Sequence, residues 1–320
     1  MREALFLRQN QERWKQYETQ ATTDPDVLAA RFVALTDDLA YAQTFYPQSP
    51  TTAYLNSLTG KLHQAIYKNK SERSGRFLQF WKRELPLVVA RNQRTLAWAM
   101  GVFVLCALLG ALSAAYDETF IRAVMGDGYV DMTLENIRHG DPMGVYKQRG
   151  EVSMFFEITP HNIRVALLTF AAGLTLGIGT AYLLFQNGLM IGAFQYFCFK
   201  QHVLKASLLT IWIHGTLEIS SIVLAGGAGF VMARGLLFPG TYSRAEAFRH
   251  SAREGLKLAV GLVPLFIIAG FLESFVTRHT EMPVPASLFI IGSSAAFLGW
   301  YFIWYPRRLQ RELAAGNSPS

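Results

Sequence analysis

Five stretches of this 320-residue chain are too apolar and too long for anything but a helix that leaves water. Residues 96–115, 165–185 and 286–305 run for 20, 21 and 20 residues without a charge. Residues 258–276 give 19 more, interrupted by Pro264 and Glu273, and residues 206–233 give 28. About 20 such residues carry a helix across roughly 30 Å of hydrocarbon. Hydrocarbon offers no partner to a backbone N–H or C=O, so each run must satisfy itself internally. A sixth run, residues 189–199, is only 11 long. The expected fold is all-α: a polytopic transmembrane helix bundle of about six spans, one of them short or re-entrant, with an N-terminal cytoplasmic helical domain. The 28-residue run exceeds one crossing, so it has to tilt or break, with Gly215 and Gly226-Gly227 as weak points. Composition agrees, at 51% hydrophobic and 17% charged against about a quarter charged in soluble domains.

Residues 1–94 read as the helical domain. Charge alternates with apolar residues at helical spacing over 2–19, without a signal-peptide core. Asp24-Pro25 supplies an N-cap and first-turn proline for a second helix, and Ser49-Pro50 opens a third that runs to about residue 70. A fourth segment, 76–94, gathers Phe77, Phe80, Trp81, Leu85 and Val88 on one face, with Arg76, Lys82, Arg83 and Arg91 elsewhere. That pattern suits a helix lying among lipid headgroups or, equally, an ordinary amphipathic helix packing on its neighbours.

Charge then orients the spans. Residues 1–94 carry 14 basic and 9 acidic side chains, and residues 116–161 carry 4 and 8. The basic stretches 82–94, 234–257 and 307–311 belong on the cytoplasmic side and the acidic loop 116–161 on the other. The transmembrane domain is then 95–306, in the cytoplasmic (inner) membrane, with a cytoplasmic tail at 307–320 and both termini on the cytoplasmic side. Lipids are the first partners, and no aromatic-basic motif points to nucleic acid. Cys106 and Cys198 both lie in apolar runs, which argues against a disulfide framework. In the loop, Asp127, Asp131 and Glu135 lack the spacing of an EF-hand and read as a solvated acidic surface.

One run carries chemistry. In "IWIHGTLEISSIVLAGGAGF", His214 and Glu218 are four apart and share a helix face, continued by Ser221, Ala225 and Gly229. A charged side chain at mid-membrane costs about 2.5–3.5 kcal/mol on insertion scales, so intramembrane titratable groups mark functional sites by default. An inert pair that locks helix packing is the competing reading. Entered from outside, the run places His214 about 12 Å deep and Glu218 about 18 Å deep at 1.5 Å per residue. Glu273 lies near the outer end of its own run, Gln195 in the outer half of the short one, and Asn162 at the start of another. The expectation is a polar cavity in the outer half of the bundle lined by His214, Glu218, Glu273, Gln195 and Asn162. A metal there would need a third ligand from Glu273 or His161, since zinc takes three or four. No HExxH, GxSxG, P-loop or dinucleotide fingerprint is present, so no catalytic residue and no cofactor is expected. The small residues Gly173, Gly177, Gly188, Gly192, Gly215, Gly226, Gly227 and Gly229 suit close helix packing and a homodimer.

Four segments occur in order: "HNIRVALLTF" leading to Gly173, "QNGLMIGAF", "HGTLEISSIVLAGGAG" and "AGFLESFVT". Together they resemble the stage II sporulation protein M (DUF95) family over about residues 95–305. The family often carries a proline soon after the last glutamate, where Thr277-Arg278 stands here. The resemblance implies a polytopic cytoplasmic-membrane protein working with other envelope proteins in septal membrane migration and peptidoglycan remodelling. It leaves residues 1–94 as an extension without an assigned role. Two readings follow: a non-enzymatic scaffold or anchor in an envelope-remodelling complex, or a transporter or channel-like protein whose His-Glu pair binds a proton, an ion or a lipid headgroup.

Overall fold

The computed structural model describes residues 3–20, 22, 24–68, 75–147 and 150–316. Among them it is entirely helical, and it divides into two compact units, Met1–Arg76 and Phe77–Ser320. The first unit holds α1 (Glu3–Thr19), α2 (Pro25–Phe45) and α3 (Pro50–Lys68). Asp24 caps α2, its carboxylate accepting from the Asp26 N–H at 3.0 Å. The three helices close over Phe6, Trp14, Leu35 and Leu55. Burying Trp14 would orphan its indole N–H, but that group donates to Asp38 Oδ2 at 2.7 Å, where Arg13 also binds. The expected end of α3 near residue 70 and the last four residues of the tail lie outside the described residues.

The second unit begins with α4 (Phe77–Tyr116), followed by the short loop helices α5 (Phe120–Met125) and α6 (Asp127–Arg138). Then come α7 (Glu151–Ala171), α8 (Ile178–Lys200), α9 (Leu204–Leu237), α10 (Arg244–Thr277) and α11 (Val284–Ala315). Four of these, α4, α9, α10 and α11, are long and apolar enough to cross a membrane. Helix α9 runs through the middle and touches each of the other five long helices. Its Leu217, Ile222, Ala225, Ala228 and Val231 join Leu85, Val88, Leu258, Leu262 and Phe266 in the main core. Large apolar residues on the rim, such as Leu105, Leu108, Ile267, Ile268 and Phe289, remain exposed. A face of that size marks contact with lipid or another apolar partner.

The segment expected at the membrane surface is not a separate helix. Residues 77–94 continue without a break into the first apolar run, giving 40 residues, about 60 Å at 1.5 Å each. Pro86 fails to stop it because the turn before it opens into a π-helix, Phe80–Glu84, where Leu85 N–H reaches back to the Phe80 carbonyl. That register and the missing proline N–H leave the Trp81 and Lys82 carbonyls without a helical donor. Two hydroxyls from α11 fill them: Tyr301 donates to Trp81 at 2.7 Å and Tyr305 to Lys82 at 2.8 Å. The same device recurs in α11, where a π-helix at Trp300–Trp304 precedes Pro306. There Gln93 of α4 supplies the donor, its Nε2 lying 3.3 Å from the Ile303 carbonyl and 3.5 Å from that of Phe302. Arg307 holds Gln93 from the other side at 2.8 Å. Each helix thus mends the other's proline defect.

Two further expectations are corrected, and of the two alternatives for the run 206–233 the break is absent. The uniform run 165–185 is not one span, because the chain turns inside it through the short 3₁₀ segment Ala172–Thr175 and the left-handed residues Leu176 (φ 57°) and Gly177 (φ 86°). The turn is tied by Gly179 N–H donating to Thr175 Oγ1 and by Thr180 donating to the Thr169 carbonyl, each at 2.8 Å. The 11-residue run 189–199 is consequently the second half of α8, a 23-residue helix. Its polar middle is satisfied locally, with Asn187 donating to the Leu183 carbonyl and Gln186 to the Tyr182 hydroxyl. Helix α9 neither breaks at Gly215 nor at Gly226-Gly227, because neighbouring helices fill the spaces that two of these glycines leave. Leu184 packs against Gly226 and Leu96 against Gly227, whereas Gly215 meets only side chains of its own helix. Close backbone approach is sharpest at Gly192, where a Cβ would collide with the Ala107 carbonyl, and between Gly173 and Gly229. Gly188 likewise seats Cys106 and Phe103.

The reciprocal proline repair makes a prediction. Losing one such hydrogen bond costs about 1 kcal/mol net, and more where the carbonyl stays buried. At about 2–4 °C per kcal/mol for a unit of this size, Tyr301→Phe combined with Tyr305→Phe should lower Tm in detergent by about 4–8 °C. Phe289→Leu, at an exposed ring on the same helix, should leave it unchanged.

Candidate functional site

Helix α9 carries His214 and, one turn on, Glu218. Their shared face continues through Ser221, Ala225 and Gly229, all buried. Opposite them the last part of α10 widens into a third π-helix, Leu272–Thr277. Widened turns of this kind recur at functional sites. Here it presents Glu273 and Thr277 to α9. The Nδ1 of His214 is 3.0 Å from Thr277 Oγ1, a buried hydrogen bond. The other ring nitrogen, Nε2, faces Glu273 Oε1 at 3.9 Å, beyond hydrogen-bonding reach. One ligand atom from each of His214, Glu218 and Glu273 lies within 4.8 Å of the other two. Glu218 Oε2 and Glu273 Oε2 are both buried without a hydrogen-bond partner. A buried acceptor left unsatisfied costs about 1–3 kcal/mol, more if charged.

The loop between α4 and α7 closes over this cluster. Its short 3₁₀ segment, Gly144–Lys147, brings Tyr146 edge-on to the His214 imidazole, ring centres 5.6 Å apart and planes at 65°. Burial holds the Tyr146 phenol well above its ordinary range, with Glu273, Tyr129 and Glu218 close enough to add to the effect. Tyr129, packed on Phe194, is pushed up to about 12, chiefly by burial and then by Cys198 and Glu273. Both phenols therefore stay protonated at neutral pH. Sequence reasoning missed Tyr146, Tyr129 and Thr277. Tyr129 sits on the loop helix α6 and Tyr146 in the 3₁₀ segment after it, where no pattern ties either to the apolar runs, and Thr277 comes into place only through the π-turn.

The two remaining residues of the expected cavity are not in the cluster. Gln195 sits on α8 with its Oε1 buried and unpartnered, and Asn162 is half-buried on α7. Neither hydrogen-bonds to the three among the described residues. His161 is exposed on α7, so Glu273 is the third potential ligand. The acidic loop residues are held by arginines: Arg122 bridges Asp127 and Asp131, and Arg138 pairs with Glu135. Cys106 and Cys198 are both free and buried.

Hydroxyl, imidazole and carboxylate stand in the order of a nucleophilic triad, but the geometry does not support one. Thr277 is 0% exposed, which leaves no room for a substrate beside its hydroxyl. What the cluster can do is bind. Two carboxylates and an imidazole with free lone pairs face one another away from water, which suits a proton or a cation.

The family described as Stage II sporulation protein M matches residues 99–278, a segment that contains all of His214, Glu218, Glu273, Thr277 and Tyr146. The chain belongs to the stage II sporulation protein M family. Together with the four long apolar helices, that membership makes it a membrane protein. A domain of unknown function, DUF8413, matches residues 4–68 of the first unit. A curated relative, Uncharacterized protein MJ0793 of Methanocaldococcus jannaschii, is 27% identical over 125 residues, covering 38% of this chain and 70% of that protein. No solved structure matches.

In this family member the Tyr146 ring is the lid over the imidazole. In a background lacking Cys106 and Cys198, His214→Cys should react with a small maleimide only slowly. Adding Tyr146→Ala should raise that rate at least tenfold; equal rates would mean the ring does not cover the site.

Proposed function

We propose that the chain is a six-crossing protein of the cytoplasmic membrane whose bundle binds a proton or small cation at His214, Glu218 and Glu273. The observation that carries this reading is the pair of buried, unpartnered glutamate oxygens beside an imidazole nitrogen with no hydrogen bond. An inert packing lock would satisfy these groups with one another, since orphaned buried acceptors weaken a bundle. Intramembrane carboxylates that face a bundle interior mark ion and proton paths.

The six crossings rest on helix length. Beside the four long apolar helices, α7 has 21 residues and α8 has 23, about 32 and 35 Å. Both reach across about 30 Å of hydrocarbon. The loop with Glu118, Lys200, Tyr146 and the α10–α11 turn then lies outside, and Arg234–Lys257 and both ends of the unit lie inside. The cluster falls in the outer half, with Tyr146 between it and the external medium. A reagent confined to one face distinguishes this from four crossings. A cysteine replacing Leu176 should label from the same side as one replacing Phe238, and labelling from the side of Tyr116 would remove two crossings.

A second reading, a scaffold in an envelope-remodelling complex, draws on the first unit. It has its own core and its own family match, which suits a docking domain. Flux separates the two. In proteoliposomes with an interior pH dye, and with sodium or potassium tested in turn, the intact chain should pass protons or a cation. Glu218→Gln and Glu273→Gln should each cut that flux at least tenfold. A scaffold would show no flux in any form while both variants kept their partners.

A further inference from the structure

We propose that His214, Glu218 and Glu273 form a binding site for one divalent transition-metal ion of the zinc class, with His214 binding through Nε2 and a fourth position left for water. The inference deepens the reading of this cluster as a cation site and rests on it.

The donor set selects the ion class. One imidazole with two carboxylates is a mixed nitrogen–oxygen set, which suits zinc, iron, cobalt or nickel. Calcium and magnesium prefer all-oxygen shells and more ligands than three side chains supply. Charge gives the same answer. Two carboxylates and a neutral imidazole sum to −2, so a divalent cation leaves the buried centre neutral, whereas a monovalent ion leaves it charged. A net charge inside the bundle is what the surroundings oppose most.

Orientation comes next. In the tautomer that carries its proton on Nδ1, that group donates to Thr277 Oγ1 across 3.0 Å and the lone pair stands on Nε2, the nitrogen that faces Glu273. A hydrogen bond on the rear nitrogen is how metal-binding histidines are usually fixed in tautomer and direction. Thr277 is thus a positioning residue for the site.

Spacing completes the argument. At metal–ligand distances of about 2.0–2.1 Å, two ligands on a tetrahedral ion stand about 3.4 Å apart. Nε2 and Glu273 Oε1 are 3.9 Å apart, too far to bond one another and about half an ångström outside that separation. The three ligand atoms lie within 4.8 Å of one another, so rotations of both glutamates about their last bonds have to close up to about 1.4 Å. The unpartnered Glu218 Oε2 and Glu273 Oε2 gain in the ion the partner they lack. The other ionisable groups facing the cluster, Tyr146, Tyr129 and Cys198, come from the loop and from α8. Cys198 lies close to both phenols, and its absence from the ligand group is part of the claim.

The test uses the full chain purified in detergent, stripped with a chelator and dialysed against zinc or cobalt. Elemental analysis should give one zinc per chain. Competition with a chromophoric chelator should show affinity falling at least 100-fold in Glu218→Gln and in Glu273→Gln, and about 10–100-fold in Thr277→Val. X-ray absorption on the intact protein should report a nitrogen–oxygen shell without sulfur, a result independent of whether any variant folds. Zinc that stays below one per chain, affinity unmoved by both glutamine variants, or a sulfur ligand would overturn the proposal. Flux lost in the glutamine variants while the intact chain takes up no metal would remove the metal and keep the cation reading. Stoichiometric zinc with no flux would uphold the metal site and remove transport.

Discussion

A bundle that leaves water has to provide a partner for every backbone group it exposes to itself, and this one is organised by where its helices cannot. Pro86 and Pro306 each remove a donor from a long helix, and the turn ahead of each widens so that the ring does not strike the preceding carbonyl. The freed carbonyls are met from the opposite helix, by Tyr301 and Tyr305 in one direction and Gln93 in the other. The result fixes α4 and α11 in register, since a shift of one residue would separate both sets at once. It also explains why the "WYFIWYPRR" segment continues as helix through its proline. The third widened turn, Leu272–Thr277, precedes no proline. Its effect falls on side chains instead, turning Glu273 and Thr277 towards the middle helix.

The polar centre depends equally on the small residues around it. Helix α9 comes close to its neighbours because Gly226, Gly227 and Gly229 have no side chains to hold them off, and α4 meets α8 across Gly188, Gly192 and Gly110. His214 is 5% exposed, so little water reaches the imidazole. Excluding water strengthens any interaction the imidazole and carboxylates make with an ion and raises the cost of leaving them without one. At the far end of α9 the bundle handles charge differently. There the buried Glu254 accepts from Arg91 and from Asn92, each at 2.8 Å, and Arg234 donates to Asn92 at 3.0 Å. That network is saturated by its own members. The His214 cluster is not, and the contrast within one bundle is why it reads as a site and not as a lock.

Much of this was legible in the chain itself, and the rest was hidden for identifiable reasons. The four-residue spacing of His214 and Glu218 put them on one face because helical periodicity is local. The Asp24-Pro25 cap was visible for the same reason. The corner at Leu176-Gly177 was invisible because residues 165–185 are uniformly apolar, so nothing in hydropathy separates a span from a turn packed among other helices. Gln186 and Asn187 misled in the opposite sense: they divide an apolar run on paper, yet their amides bond within one turn of their own helix. Depth in its own run puts Glu273 in the outer half of the bundle with His214, but the register that turns it and Thr277 towards the imidazole is set by a π-turn that no local pattern announces.

The loop that carries Tyr146 is bound to the same widened turn. Asp141, five residues before Tyr146, accepts from Lys147 at 2.7 Å and from Thr280 at 3.4 Å, and Arg278 pairs with Glu151 at the start of α7. Thr280 and Arg278 directly follow Thr277, whose hydroxyl orients the imidazole. The lid over His214 and the residue that aims it therefore hang from one short stretch of chain. Displacing the loop would lift the ring from one side of the imidazole and pull on its hydrogen bond from the other.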